Sequence, residues 1–580
     1  HLKSMKPLLT PSQYAQLEEK AHEFVSGPAS KLQRYLKLRW WFTPNYISDW
    51  WEEYVYLKAR ASLLTSSSYY FVDTIDESIR DQATRAALVA YSSLCTREAI
   101  ENGTFETLMP QGLIPVCNWQ YSRMFNTCRI PGDTIDRLRH DVFSDHIVVV
   151  HQGRYFRLNI YRQGSKKLLS PAELHLQFQR ILADTSKPED GEDKLADLTT
   201  WKRDEWAQAR RKFLCQGVNQ DSLEAVESSA FFFHLDENEY KTETIEQSAK
   251  STAGLVSLGM GAAYGNGGAR WMDKSLNFFV AKNGRAGGVC EHSWGDGMIS
   301  SHMWEVNLKF CLNFDKLDES GKFIIPVEIE PPYPQRLKWS LSEECLEAIE
   351  ISSKRASTAM AELDADILVF SEFGKDGMKK CRVSPDAYIQ MALQLAYYRD
   401  QGKFDQTYEP CMTRLYLQGR TETIRSCTEE SCRWVLSMEN KSPRDLQKLY
   451  FKEACDNHQQ NYREAMNGRG SDRHLFGLYV VSKYLKMDIP YLEDAISNAW
   501  PLSTSQLPIH QTKLKNVHCP AGGFIPVEKD GYGVAYIISG EDVVFFDVNS
   551  VKSSPNTDSP RLGKHIQQAM LDIHDLFFPK

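Results

Sequence analysis

The chain has 580 residues, 68 Lys and Arg against 76 Asp and Glu, a net charge of −8, and 42% apolar residues. That length exceeds one ordinary core and predicts two large domains or three smaller ones. The composition excludes fibrous and extensively disordered classes, and the negative balance argues against nucleic acid as a partner.

Residues 1–60 read as helical, with rings crowded into LRWWFTPNYISDWWEEYVYLKAR, a density that packs a core or a domain seam. A helix is predicted over 83–101. HIVVVH and YFRLNIY, separated by QGR, predict a β-hairpin over His146 to Tyr161. The charged stretch Ser186 to Trp206 reads as a surface connection with short helices, and SSAFFFHLD as a buried strand. The glycines of GLVSLGMGAAYGNGGARW, Gly254 to Trp271, fit neither nucleotide-loop spacing and predict a flexible loop. Leu276 to Glu291 predicts a second hairpin, with Asn283-Gly284 signalling a type I′ turn. Met298, Ile299, Met303 and Val306 then recur at helical spacing.

The Pro-rich IEPPYPQRLKW, Ile329 to Trp339, marks the predicted boundary. It gives a helical segment, 1–60, packed on a body of two domains, 61–333 and 334–580. Beyond it come a helix (Ser342 to Leu363), a strand (Ile367 to Phe370) and a basic loop, SEFGKDGMKKCRVSPD. Ser384-Pro385-Asp386 predicts a helix start with a capping serine and proline in the first turn, running to Gly402. GYGVAYIIS reads as strand and Leu562 to Phe578 as helix. Thirteen cysteines, an odd number without paired Cys-x-x-Cys spacing, point to a reducing compartment. No run of about 18 apolar residues reads as a membrane span.

In GGVCEHSWGDGMIS, Gly287 to Ser300, His292 stands where a strand hands over to a helix. An imidazole there suits proton transfer near neutral pH, although a histidine beside a helix start is also a common packing residue. Asp296, four residues on, would organise the loop. Lys375, Lys379, Lys380 and Arg382 form either a solvated loop or a phosphate site ahead of a helix N-terminus.

The pattern His-x-x-x-Asp-Gly after a strand resembles the active-site signature of CoA-dependent acyltransferases. EHSW narrows the resemblance to the carnitine/choline O-acyltransferase family and its type one, mitochondrial outer-membrane, carnitine palmitoyltransferase branch. The likeness continues in order through Leu36 to Leu57, MFNTCRIPG (Met124 to Gly132), RWMDKS (Arg270 to Ser275), KKCRVSPDA, GRTET, DRHLF and STSQ. It implies an α/β fold of two chloramphenicol-acetyltransferase-like domains, each a mixed sheet flanked by helices, with His292 midway along a tunnel between them.

The resemblance implies transfer of a long-chain fatty acyl group between CoA and L-carnitine by general-base catalysis without a covalent acyl-enzyme. His292 is then the base, Asp296 its loop's organiser, and Ser505 the oxyanion donor. CoA falls to Gly374, Lys375, Lys379, Lys380, Ser384, Asp386 and Gln506, with phosphates at Lys375 and Lys379 and adenine toward Asp386. Carnitine falls to Tyr408, Thr421, Arg473 and Ser503. Gly522, where short-chain members carry Met, opens space for a long chain. CoA is a substrate; no permanently bound cofactor and no metal are expected. Malonyl-CoA is an implied inhibitor. The implied location is the mitochondrial outer membrane, facing the cytosol, with membrane helices upstream of a region like residues 1–60. The chain itself is expected to be a soluble catalytic fragment, or a soluble relative.

Gly295-Asp296-Gly297 departs from the branch's usual Ala-Asp-Ala, and Cys128, Pro410 and Ile525 depart as well. A medium-chain carnitine acyltransferase and a non-catalytic acyl-CoA or malonyl-CoA sensor are the rival readings.

Overall fold

The computed structural model describes residues 1–75, 79–109, 114–241, 243–265, 267–268, 270–509, 511–512, 514, 517–519 and 522–579. Sixteen strands form among them: β1 (Tyr69–Val72), β2 (Thr127–Ile130), β3 (Arg137–His140), β4 (His146–His151), β5 (Arg154–Asn159), β6 (Phe232–Asp236), β7 (Leu276–Ala281), β8 (Ala286–Cys290), β9 (Gln335–Arg336), β10 (Leu363–Phe370), β11 (Thr407–Met412), β12 (Thr421–Arg425), β13 (Leu502–Gln506), β14 (Gly522–Phe524), β15 (Tyr532–Ser539) and β16 (Val543–Val551). One sheet has eight strands in the order β14-β1-β8-β7-β6-β4-β5-β9, and the other six, β10-β16-β15-β13-β11-β12. Both are mixed: β6 runs parallel to β4 and β7, and β13 parallel to β11 and β15, while the remaining pairs in the two sheets are antiparallel. The α/β class predicted from sequence is the class observed. Central strands such as β4 and β7 are buried along their whole length, as helices on both faces of a sheet require.

The sheets divide between β9 and β10, but their layers interlock. β14 pairs with β1, so the second half of the chain closes an edge of the first sheet. The helix Glu343–Ala361 buries Cys345, Ala348 and Ile349 with Leu195, Leu198 and Trp206 of the first half. At the other end, Phe24, Leu32 and Leu36 pack with Leu475, Leu478 and Leu492, so the N-terminal helices sit on the second half.

Three local expectations need correction. Ala253–Ala263 is a helix, not a loop. Glycine disfavours a helix by about 1 kcal/mol relative to Ala, but here the small residues admit close neighbours. A Cβ on Gly261 would lie 2.1 Å from the Tyr240 hydroxyl, and one on Gly259 would lie 3.2 Å from the Tyr70 ring. The charged stretch after Ser186 is not a surface connection throughout. The expected short helix is there, a 3-10 helix over Glu192–Thr200, but it is buried, with Glu192 on Arg336 and Asp197 accepting the Gly268 amide. The β7–β8 turn is not type I′, since only Gly284 has positive φ, at 83°. The Gly284 amide reaches the Ala281 carbonyl and the Ala281 amide that of Arg285, which makes a three-residue connection with a glycine bulge.

The helix Pro385–Gln401 starts where the sequence predicts, with Ser384 at the N-cap position, but the serine side chain makes no capping bond. Gly402, left-handed at φ 69°, closes it.

Candidate active site

His292 lies in the turn between β8 and the helix Gly297–Leu312. Its Nδ1 is 3.0 Å from the Gly295 carbonyl oxygen. That carbonyl only accepts, so Nδ1 carries the proton and Nε2 keeps its lone pair. The ring sits between Tyr56 and Tyr69, both with centroids at 4.9 Å. Burial pulls the His292 pKa below the ordinary value; Asp296 pushes it up and Arg420 down, and the net shift is downward. The imidazole is therefore neutral at pH 7 and able to take a proton.

The Asp296 carboxylate accepts from Arg420 Nη2 at 2.9 Å and Gln120 Nε2 at 3.0 Å, and its own amide donates to Gln120 Oε1 at 2.8 Å. Burial would raise its pKa, but Arg420 wins and holds it below the carboxylate range. Arg420 also donates to the carbonyls of His292 and Ser293. The arginine of GRTET thus fixes the backbone of EHSW, a role sequence reasoning did not assign.

Behind this loop is a buried ionic frame. Arg129 bonds Glu291 and Asp136 at 2.8 Å each and the Tyr56 carbonyl at 2.6 Å, and Arg203 spans Asp136 and Asp273. Glu291 in turn accepts the Ser293 amide and hydroxyl. The scattered motifs MFNTCRIPG, RWMDKS and EHSW therefore meet in one network. A chain of paired buried charges gives such a turn one geometry.

Tyr408, Thr421 and Arg473 come together. Arg473 Nη2 lies 3.2 Å from the Tyr408 hydroxyl and 3.1 Å from Thr421 Oγ1, Nη1 lies 3.0 Å from Thr423 Oγ1, and Nε donates to the Thr421 carbonyl. The guanidinium lies 3.4 Å from the Trp51 ring centroid. Arg473 is 5% exposed, and its side chain meets hydroxyls, a carbonyl and an indole face rather than a carboxylate. The Glu422 carboxylate accepts the Arg473 backbone amide and offsets part of its charge, but none of the side chain's own hydrogen bonds goes to a carboxylate, which leaves the guanidinium able to grip an anionic ligand.

Ser503 is opposite Tyr408 in the parallel β11–β13 pair. Thr504 turns the other way, donating to the Tyr408 carbonyl and accepting from Gln390. Alternation puts Ser503, Ser505 and Leu507 on one face and Thr504 and Gln506 on the other. Leu507 lines an apolar cavity shared by both halves, with Tyr69, Phe71, Gly297, Trp304 and Ile537. Tyr69 also touches His292, and Ser505 shares the strand face of Leu507. A Cβ on Gly522 would lie 2.5 Å from Leu507 Cδ1, which connects that glycine to the cavity wall.

Gly374 opens the short helix Lys375–Lys380, where a Cβ would lie 2.5 Å from the Glu541 carbonyl oxygen. Lys379, Lys380 and Arg382 are exposed, Lys375 and Ser384 half-buried. Asp386 accepts the Tyr536 hydroxyl at 2.6 Å and faces Glu409 and His458, neither anticipated from sequence. Burial and Glu409 raise its pKa to about 6. His458, 2.8 Å from Glu409, is pushed up to about 9 by that carboxylate, against the effect of burial. The pairing of β11 with β12 and the helix Arg444–Met466 create this cluster, and no local spacing signals it.

Tyr56 stacks on the neutral imidazole within electrostatic reach of Arg473, and Tyr69 joins the same ring to the apolar cavity, an arrangement suited to acyl transfer onto a polar acceptor. The chain matches the Choline/Carnitine o-acyltransferase family over residues 1–568, and it belongs to that family. It is 44% identical over 586 residues to the muscle isoform of carnitine O-palmitoyltransferase 1 from Rattus norvegicus, covering all of this chain and 75% of that one. It is 44% identical over 592 residues to the human liver isoform, with the same coverage. Human carnitine O-acetyltransferase is 31% identical over 598 residues, covering 99% of this chain and 91% of that protein. No helix among the described residues is long and apolar enough to cross a membrane.

Proposed function

We propose that this enzyme transfers long-chain fatty acyl groups between CoA and L-carnitine. The observation that supports the reading is Arg473, a buried guanidinium with no carboxylate at ion-pair distance among the described residues, linked through Tyr56 to the His292 imidazole. Carnitine's carboxylate takes Arg473, Tyr408, Thr421 and Ser503. His292 Nε2 removes the proton of the carnitine hydroxyl, whose oxygen attacks the thioester carbonyl. Ser505 donates to the tetrahedral oxyanion; one such donor contributes roughly 2.7–4 kcal/mol to the transition state. The intermediate collapses, the C–S bond breaks, and the CoA sulfur takes the proton back from His292.

Lys375, Lys379 and Lys380, with Gly374 and Ser384, receive CoA phosphates. Asp386 lies toward the adenine, and Gln506 is on the strand face turned to the helix Pro385–Gln401. The fatty chain enters the cavity under Gly522, where each buried methylene contributes about 0.8 kcal/mol. The likeness to the palmitoyltransferase 1 isoforms supports the long chain, and extends the proposal to inhibition by malonyl-CoA and to residence at the mitochondrial outer membrane, facing the cytosol.

The test is turnover of palmitoyl-, octanoyl- and acetyl-CoA with L-carnitine, following CoA thiol release and acylcarnitine mass. Palmitoylcarnitine is expected as the main product. An acetyl optimum, or thiol release independent of carnitine, overturns the proposal.

A further inference from the structure

Leu507 is one of the side chains that wall the apolar cavity, with Tyr69, Phe71, Trp304 and Ile537. Leu507 follows β13, with its amide bonded to the Tyr536 carbonyl, and its two methyls face two glycines. Cδ1 fills the place beside Gly522, where a Cβ would come within 2.5 Å. Cδ2 faces Gly297, where a Cβ would lie 3.4 Å away, with the Tyr69 ring at 3.9 Å. Gly297, Leu507 and Tyr69 all line the cavity, and the Tyr69 ring packs edge-on against His292.

We propose that Leu507 is the movable wall that sets the bore for the acyl chain, that Gly297 leaves it room to retreat, and that Gly522 acts on chain length through it. This rests on the acyl-transfer reading above. The two contacts differ in kind. A methyl on Gly522 collides with the end of a flexible side chain, so Leu507 must leave its seat. A methyl on Gly297 makes ordinary van der Waals contact and closes the space Leu507 would use. Neither position has the positive φ that would itself forbid alanine. The Gly-Asp-Gly that follows EHSW thereby acquires a purpose at its second glycine: it is the far side of the Leu507 seat.

The three positions must then be energetically coupled, which a double-mutant cycle measures. Gly522→Ala is expected to lower palmitoyl-CoA turnover at least about tenfold relative to octanoyl-CoA, the scale on which pockets discriminate by a few methylenes. Gly522→Ala with Leu507→Ala is expected to restore most of the loss, because the colliding methyl is gone and only the Tyr70 carbonyl, at 3.1 Å, remains close. Gly297→Ala with Gly522→Ala is expected to lose more than the product of the two single effects. Calorimetric affinities of palmitoyl-CoA and of CoA for the same proteins need no turnover, and melting temperatures identify a misfolded variant. Restored palmitoyl-CoA affinity in the Gly522, Leu507 pair, with unchanged CoA affinity, supports the proposal. Additive effects in folded proteins overturn it. Absence of carnitine-dependent turnover in the parent overturns the functional reading alone, since the binding cycle still decides the role of Leu507.

Discussion

Arg420 grips Asp296 and the His292 carbonyl with one guanidinium, so a residue of the second half of the chain holds the proposed base of the first. Arg420 is 2% exposed. Replacing it by Gln leaves a buried carboxylate without its partner, a change that costs about 3–5 kcal/mol. The melting temperature should fall, and kcat should fall with it while CoA affinity changes little. A stable, fully active Arg420→Gln protein would contradict this account.

The pH profile follows from the same loop. Burial lowers the His292 pKa, so the neutral base is fully present at pH 7 and is lost only as pH drops through a value below the ordinary 6.5. The acid limb of kcat/KM should lie below 6.5. Asp296 favours the imidazolium, so Asp296→Asn should move the limb further toward acid. His292→Ala should lower kcat by at least about 100-fold.

Arg473→Ala separates the two substrates. Charge-assisted bonds contribute about 1.5–3 kcal/mol, which corresponds to a rise of roughly tenfold to more than a hundredfold in the KM for carnitine. The KM for palmitoyl-CoA should stay within about twofold, as removal of ground-state binding at one subsite requires. Equal loss for both substrates would place Arg473 elsewhere in the mechanism.

The His458–Glu409 pair makes stability depend on alkaline pH. His458 titrates near 9 in the fold and at the ordinary 6.5 when unfolded. Its stabilising contribution is therefore fully present below 6.5 and is lost as pH rises through 9. Asp386, raised to about 6, titrates below most of that window. The parent's melting temperature should fall between pH 6.5 and 9, and His458→Gln should flatten the slope.

Features written in neighbouring residues were legible in the sequence. Both hairpins, the helix after His292, and the helix from Pro385 to Gly402 follow from alternation, helical spacing and a Pro-to-Gly frame. Contacts between distant segments were not. Ala253–Ala263 looked like a loop because its glycines carry no sign of the Tyr70 and Tyr240 rings that require them. Glu192 looked exposed because its partner, Arg336, lies far along the chain. Within the site, the motifs pointed to His292 and Arg473 as residue types, while Arg420 and Leu507 acquire their places only when the two halves meet, and Glu409 and His458 only when β11 packs on the helix Arg444–Met466. Gly295 shows the same limit: a Cβ there would approach Gln120 Oε1 to 3.3 Å, a neighbour no local pattern announces.

The pairing of Phe71 with Gly522 also sets an order of events during synthesis. When β1 leaves the ribosome, the strand that covers its outer edge has not yet been translated. Until Phe524 emerges, the nascent first sheet presents bare amides and carbonyls, a surface that invites pairing with other chains. Premature stops anywhere before Gly522 freeze the chain in that condition. Such truncated products are expected to aggregate or to be held by chaperones, even though nearly all of the first sheet and His292 have already been made.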